Sequence, residues 1–197
     1  IGVNSSDNIL FENKTINKHI VFKVNDQGTV REGLRINGAV PEVVVNEGSS
    51  SLIDFRVEST NSTHMLFVDG GNERVGINNN TPLCELDVAG TVKNNGGVYR
   101  KTTDITQNQT LTNTDYCARC VQNTAITLTL PSKSNNTGQI LVIKDAMGNA
   151  GSPNNRPITI SPSGSDTIDG ASSLTLNINY EFATLMYDGV NGWMRIS

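Results

Sequence analysis

The residues of this chain best placed to do chemistry are Cys117 and Cys120, spaced as a CxxC in Cys117-Ala118-Arg119-Cys120. That spacing serves redox pairs and zinc sites when it opens a helix, or when a second pair or a nearby His completes the donor set. Neither companion is present. The third cysteine, Cys84, is distant in sequence, and the two histidines, His19 and His64, each sit beside an expected strand among polar neighbours. In an extended strand, residues i and i+3 point to opposite faces. One strand therefore cannot turn both thiols onto one ion, and packed thiols are expected, with Cys84 packed in the N-terminal half.

The best carboxylate group is Asp166 and Asp169 with Glu181 and Asp188. Two carboxylates flanking a glycosidic bond would make a glycosidase. Asp169-Gly170 and Asp188-Gly189 nevertheless read as turn residues. Calcium loops need regularly spaced oxygen donors, and Asp69 with Asn72 and Glu73 is the nearest approach, again better read as a turn. The sequons at Asn13, Asn61 and Asn108 follow from an Asn- and Thr-rich composition. No catalytic residue, metal ligand or cofactor site is therefore assigned. Tyr116, Tyr180, Tyr187 and Trp193 supply most aromatics of the C-terminal half, and Trp193 is expected in the core. Surface contact with a glycan or protein falls instead to turns, with Asn149, Asn154, Asn155, Ser163, Asp166, Asp188 and Asn191 as the candidates.

The composition frames these assignments. The chain has 197 residues, 15 Lys+Arg against 19 Asp+Glu, and a net charge of −4. No basic cluster exists to neutralise phosphates, which argues against nucleic-acid binding. No stretch approaches the ~18 apolar residues of a membrane span, so no membrane insertion is expected. The 25 Asn and 20 Thr make up nearly a quarter of the residues. Ile1 stands where an initiator Met would, with no signal-peptide pattern, which points to a segment of something longer.

Helical periodicity is absent, and short alternating runs punctuated by turn residues recur. Ile20–Val24, Phe55–Glu58, Met65–Val68 and Val75–Ile77 end in Asn-, Asp- and Gly-rich corners. An internal echo links Phe22-Lys23-Val24 to Phe55-Arg56-Val57, and Leu34–Val40 to Leu86–Val92. The second copy carries an insertion containing Met65–Pro82. Residues 1–95 thus read as about two tandem β modules too small to bury their own apolar sides. After Asn94-Asn95-Gly96-Gly97, residues 96–197 hold longer strands: Ala125–Leu130, Gln139–Lys144, Ile158–Ile160, Leu174–Ile178, Phe182–Tyr187 and Gly192–Ile196. Their spacing predicts an antiparallel sandwich or barrel-like domain.

The stretch Asp69–Ile77, then Thr81-Pro82, then Leu86-Asp87-Val88-Ala89-Gly90-Thr91-Val92, resembles the "VGIGT…P…L-x-V-x-G" module of bacteriophage and viral tail-fibre shafts, with Asn78 where Gly is usual. The run Asp166–Gly170 with Leu174–Leu176, Tyr180, Asp188-Gly189 and Trp193 is similar to the small β domain that ends such fibres. The resemblance implies an all-β homotrimer, a shaft of short-stranded modules followed by a C-terminal knob, borne on a virion as an extracellular appendage. Its implied partners are further virion proteins on the N-terminal side and a host cell-surface glycan or protein. A head fibre or capsid decoration without receptor binding is the alternative, and a small polysaccharide-degrading tip is a third reading. For the shared axial core of the trimer the candidates are Ile20, Phe22, Val24, Phe55, Val57, Val75, Ile77, Leu86 and Val88. Each, if buried, would contribute roughly 1.5–3 kcal/mol.

Overall fold

The computed structural model describes residues 2–3, 9–132 and 137–197. Among them there is no helix, and every regular element is a β-strand. The chain divides into two compact units, Ile1–Asn95 and Gly96–Ser197.

The first unit opens with a two-residue pair, β1 (Gly2–Val3) and β2 (Ile9–Leu10). β3 (Ile20–Asp26), β4 (Thr29–Asn37) and β5 (Glu42–Val45) then form an antiparallel sheet, with a bulge between Phe22 and Lys23. A second sheet orders β6 (Phe55–Val57), β7 (Leu66–Asp69), β8 (Arg74–Ile77) and β9 (Leu86–Val88) in sequence. Its first two pairings are antiparallel, and β9 joins β8 in parallel.

The sequence echo becomes something other than a repeated unit. In the first sheet Phe22 faces Leu34 directly across an antiparallel pair. Their counterparts Phe55 and Leu86 are separated by β7 and β8, the strands supplied by the insertion. β6 and β9 consequently run in the same direction, whereas β3 and β4 oppose each other.

Asn and Asp hold the corners. The Asn46 amide donates to the carbonyls of Ser50 (2.8 Å) and Ile53 (3.1 Å), and its oxygen accepts from Ser50 N (2.7 Å), pinning the link between the two sheets. Asp69 accepts from the backbone N–H groups of Gly71 and Asn72, and Asn37 from those of Ala39 and Val40. Asn17, Asn46, Asn78 and Asn155 occupy the left-handed region, which short amide side chains tolerate better than other non-Gly residues. At Asn78 φ is +54°, a conformation that Asn adopts at a lower penalty than most residues other than Gly.

The second unit holds β10 (Thr102–Ile105), β11 (Gln109–Thr110), β12 (Cys117–Cys120), β13 (Ile126–Thr129), β14 (Ile140–Asp145), β15 (Ile158–Ser161), β16 (Thr167–Ile168), β17 (Leu174–Leu176), β18 (Phe182–Tyr187) and β19 (Gly192–Arg195). Six strands order as β10-β12-β14-β18-β19-β16 and four as β11-β13-β15-β17. The expected antiparallel arrangement is corrected here. β10, β12 and β14 are parallel neighbours, and so are β11, β13 and β15. The chain alternates between the two sheets and so completes three coils, each laid beside the last. Only β17, β18 and β19 introduce antiparallel pairing.

One core joins the two sheets. Ile105, Ala118, Cys120, Leu141, Ile143, Ala183, Leu185, Tyr187 and Trp193 meet Ile126, Leu128, Ile158, Ile160 and Leu176 in a single buried cluster. Trp193 lies edge-on to Tyr187 at 5.3 Å between centroids. The reverse side of the smaller sheet is hydroxylated, with Thr127, Thr159 and Thr175 in one cross-strand row and Thr110, Thr129 and Ser161 in the next.

Candidate functional site

Paired residues on neighbouring strands share a face, so the register of β6–β9 defines an array. Phe55, Val68, Val75 and Leu86 form one row, and Val57, Leu66, Ile77 and Val88 the other. All eight are apolar, and none is buried. Leu86 is 60% exposed and Phe55 40%. The row between them, Arg56, Phe67, Gly76 and Asp87, faces the opposite way. There Phe67 is buried against the edge of His64, at 5.2 Å between centroids.

The β3–β5 sheet repeats the pattern. Ile20, Ile36 and Val43 form one row and Phe22, Leu34 and Val45 another, with Val24 beyond them on the same face. Phe22 is 50% exposed and Val43 68%. The reverse face carries ion pairs, Arg35 with Glu32 at 2.5 Å and with Glu47 at 3.8 Å, and Lys23 with Glu32 at 3.9 Å. Val45, Phe55 and Val68 line one cavity of about 290 Å³, so the apolar faces of the two sheets adjoin. Apart from Pro82, Phe67 is the only hydrophobic side chain buried in this unit among the described residues. An open apolar surface of this kind is the candidate interaction site of the unit.

All nine axial-core candidates lie on these two faces. Leu34, Ile36, Val43, Val45, Leu66 and Val68 belong with them and were not picked out by the sequence. Alternation in Leu66-Phe67-Val68 was visible, but which phase faces Val75 is set only by pairing.

The surface-contact candidates separate into two groups. Asp188 accepts from the N–H groups of Val190 (2.8 Å), Asn191 (2.8 Å) and Gly192 (3.0 Å), closing the turn after β18. The Ser163–Asp166 turn adjoins it, since Thr167 Oγ1 donates to Asn191 O. The loop holding Asn149, Asn154 and Asn155 follows β14, which runs antiparallel to β18. It therefore lies at the other end of the sheet, and the seven residues cannot form one patch. Two are corrected outright: Asn149 and Asp166 are buried. Asn149 donates to Gln122 O (3.0 Å) and accepts from Asn154 Nδ2 (2.9 Å), so it braces the loop from within. Asn154, Asn155 and Asn191 are exposed.

The carboxylates also act on backbone. Glu181 accepts from Asn177 N and Ile178 N, and Asp169 accepts from Arg195 N. The most engaged carboxylate, Asp145, was not singled out by the sequence. It is fully buried at the end of β14, taking Met147 N (3.3 Å) and Asn149 N (3.2 Å) on one oxygen, and Ala150 N (3.0 Å) and Tyr180 N (3.0 Å) on the other. Burial pushes its carboxyl up, but these four donors outweigh that and hold it below the usual range. No local sequence pattern joins Asp145 to Tyr180.

Cys117 and Cys120 lie on opposite faces of β12. Cys120 is buried, and burial, with Asp145 nearby, pushes its thiol up to about 12. Cys84 is exposed rather than packed. Its Sγ donates to Leu86 O. Among the described residues, no three His, Cys, Asp or Glu side chains converge as a metal site. Comparison with models of protein families finds no match for the chain, and comparison with curated proteins finds none either.

Proposed function

We propose that this chain is a structural fibre protein of a phage or other virus, assembled as a homotrimer. The eight-residue apolar array on β6–β9, continued by the adjoining face of β3–β5, carries this reading. Strands of three or four residues bury too little to hold together alone. An open apolar face of this kind is covered most economically by the same face of identical chains around a rotation axis. The fibre-module resemblance of residues 69–92 points the same way, and the ion pairs on the reverse of β3–β5 suit a solvated outer side. In this reading residues 1–95 are shaft and residues 96–197 a sandwich-like knob that attaches to a host-surface glycan or protein, three weak contacts acting together. Further virion proteins would continue the appendage on the N-terminal side.

The test is the mass in solution by light scattering or sedimentation. Three chains per particle are expected across dilution, and a stable, folded monomer sinks the proposal. Binding of the intact chain to host cells tests the attachment part, and a chain that decorates no host surface restricts it to a structural role.

A further inference from the structure

A cavity of about 490 Å³ opens at the end of the larger sheet where β10 and β14 begin. It lies at the same end of the sheet as the Asp188–Gly192 turn, since Gly138 N donates to Tyr187 O and Tyr187 N to Gln139 O, and at the opposite end from Asn154 and Asn155. Its walls include Tyr99, Arg100, Asn113, Asp115, Tyr116 and Gln139. We propose that this groove is a saccharide subsite selective for a carboxylated pyranose, such as a uronic acid residue of a surface polysaccharide. The proposal rests on the attachment reading and names the ligand chemistry that attachment would use.

Three groups in the groove lack partners that such a sugar supplies. Arg100 is in no ion pair and no hydrogen bond among the described residues. Its guanidinium lies 5.2 Å from the centroid of the Tyr116 ring. That cation–π contact holds the guanidinium beside the ring and leaves its N–H groups free to receive a carboxylate. The one acid of the groove cannot quench it, because Asp115 is already saturated. Asp115 is buried and accepts from Lys101 Nζ (3.1 Å), Thr103 Oγ1 (3.2 Å), Thr112 N (2.9 Å) and Thr112 Oγ1 (2.9 Å).

The second group is Gln139. Its Nε2 donates to Thr112 O at 3.2 Å, which orients the amide, and its Oε1 is buried without a partner. The amide has one Nε2 hydrogen beyond the one given to Thr112, a donor for a ligand hydroxyl at the groove wall. The third is Tyr99, whose ring is fully exposed. An exposed aromatic face at the lip of a polar groove suits the C–H face of a pyranose, since it offers a large apolar surface at small entropic cost. Carboxylate, hydroxyl and apolar face together describe an acidic sugar, whereas a bare anion would use Arg100 alone.

Titration calorimetry or NMR on the full chain tests this, with methyl glucuronide as probe and methyl glucoside as its neutral twin. The glucuronide is expected to bind about tenfold or more tightly than the glucoside, a difference of one charge-assisted contact. Arg100→Gln should remove that preference, and Tyr99→Ala should weaken both sugars alike while thermal unfolding stays unchanged. Equal affinity for the two sugars, or glucuronide binding that survives Arg100→Gln, overturns the assignment and leaves attachment standing elsewhere on the knob. Displacement of the glucuronide by an equal concentration of inorganic phosphate also overturns it, in favour of a plain anion site. Binding of neither sugar overturns the groove assignment, and a chain that also fails to bind host cells removes the attachment reading beneath it.

Discussion

Phe55 and Leu86 stand in one cross-strand row of the four-stranded sheet, joined through Val68 and Val75, although neither strand touches the other. The row is apolar from edge to edge and open on its outer side. A charge placed in it should therefore act on association before it acts on the fold of the second unit. Val75→Asp and Leu86→Asp are expected to convert the proposed trimer to lower species, read by sedimentation. Arg56→Ala, on the reverse face, should leave the mass unchanged. Trimers that persist in both Asp variants would remove this face from the interface.

At the β8 corner, backbone conformation selects the residue. Asn78 is left-handed, and its Oδ1 accepts from Ser62 Oγ at 2.7 Å. Asn78→Val should cost about 1–2 kcal/mol, the usual penalty for a branched residue in that region. Asn78→Gly should lie within about 1 kcal/mol of the parent, losing one hydrogen bond but no conformational freedom. Gly76→Ala should exceed both, because its Cβ would collide with the Asn79 carbonyl. Denaturant unfolding of the intact chain ranks the three, and equal losses for Val and Gly at position 78 contradict the argument.

Acid should destabilise the second unit through Asp145 and Asp115. For Asp145, burial raises the carboxyl and the N–H donors of Ala150, Tyr180, Asn149 and Met147 lower it further than that. For Asp115, burial likewise opposes, and Thr112, Lys101 and Thr103 prevail. A folded-state value below the unfolded one means that the stabilisation is complete above the unfolded value and is lost as pH falls through the folded one. Stability is expected to be flat from neutral pH to about pH 5 and to decline below about pH 4. Asp145→Asn should cost about 3 kcal/mol at neutral pH and flatten the acid limb. Fluorescence of Trp193, the single tryptophan and a core residue, reports the transition. An unaltered acid limb in the variant would contradict the role given to Asp145.

The thiols should react in an order set by exposure. Cys84 is exposed, Cys117 half-buried and Cys120 fully buried, with its thiol pushed up to about 12. Alkylation at pH 8 followed by mass spectrometry should label Cys84 first and Cys117 slowly, since burial also raises the latter. Cys120 should label only on unfolding. Rapid labelling of Cys120 in the native chain would contradict its placement inside the core.

Much of this architecture can be read from residue order alone. Alternation located most of the strands, because a pleat with one apolar side imposes a period of two whatever its neighbours are. Asn and Asp marked the corners, because their side chains accept from the backbone N–H groups of the next residues, as Asp69 and Asp188 do. The opposite facing of Cys117 and Cys120 followed from the same period. Strand direction did not, since β10, β12 and β14 alternate equally well as parallel or antiparallel neighbours. What makes them parallel is that the chain returns through β11 and β13 in the other sheet, a connection no local pattern records. The same limit hid Asp145, whose donors come from its own loop and from Tyr180 on a different strand, and Arg100, whose meaning depends on Tyr116 lying beneath it. Local sequence determined that this is a turn-dense β protein with apolar strand faces. Tertiary structure alone decided which faces join and which stay open, because register and direction are set by pairing between segments distant in the chain.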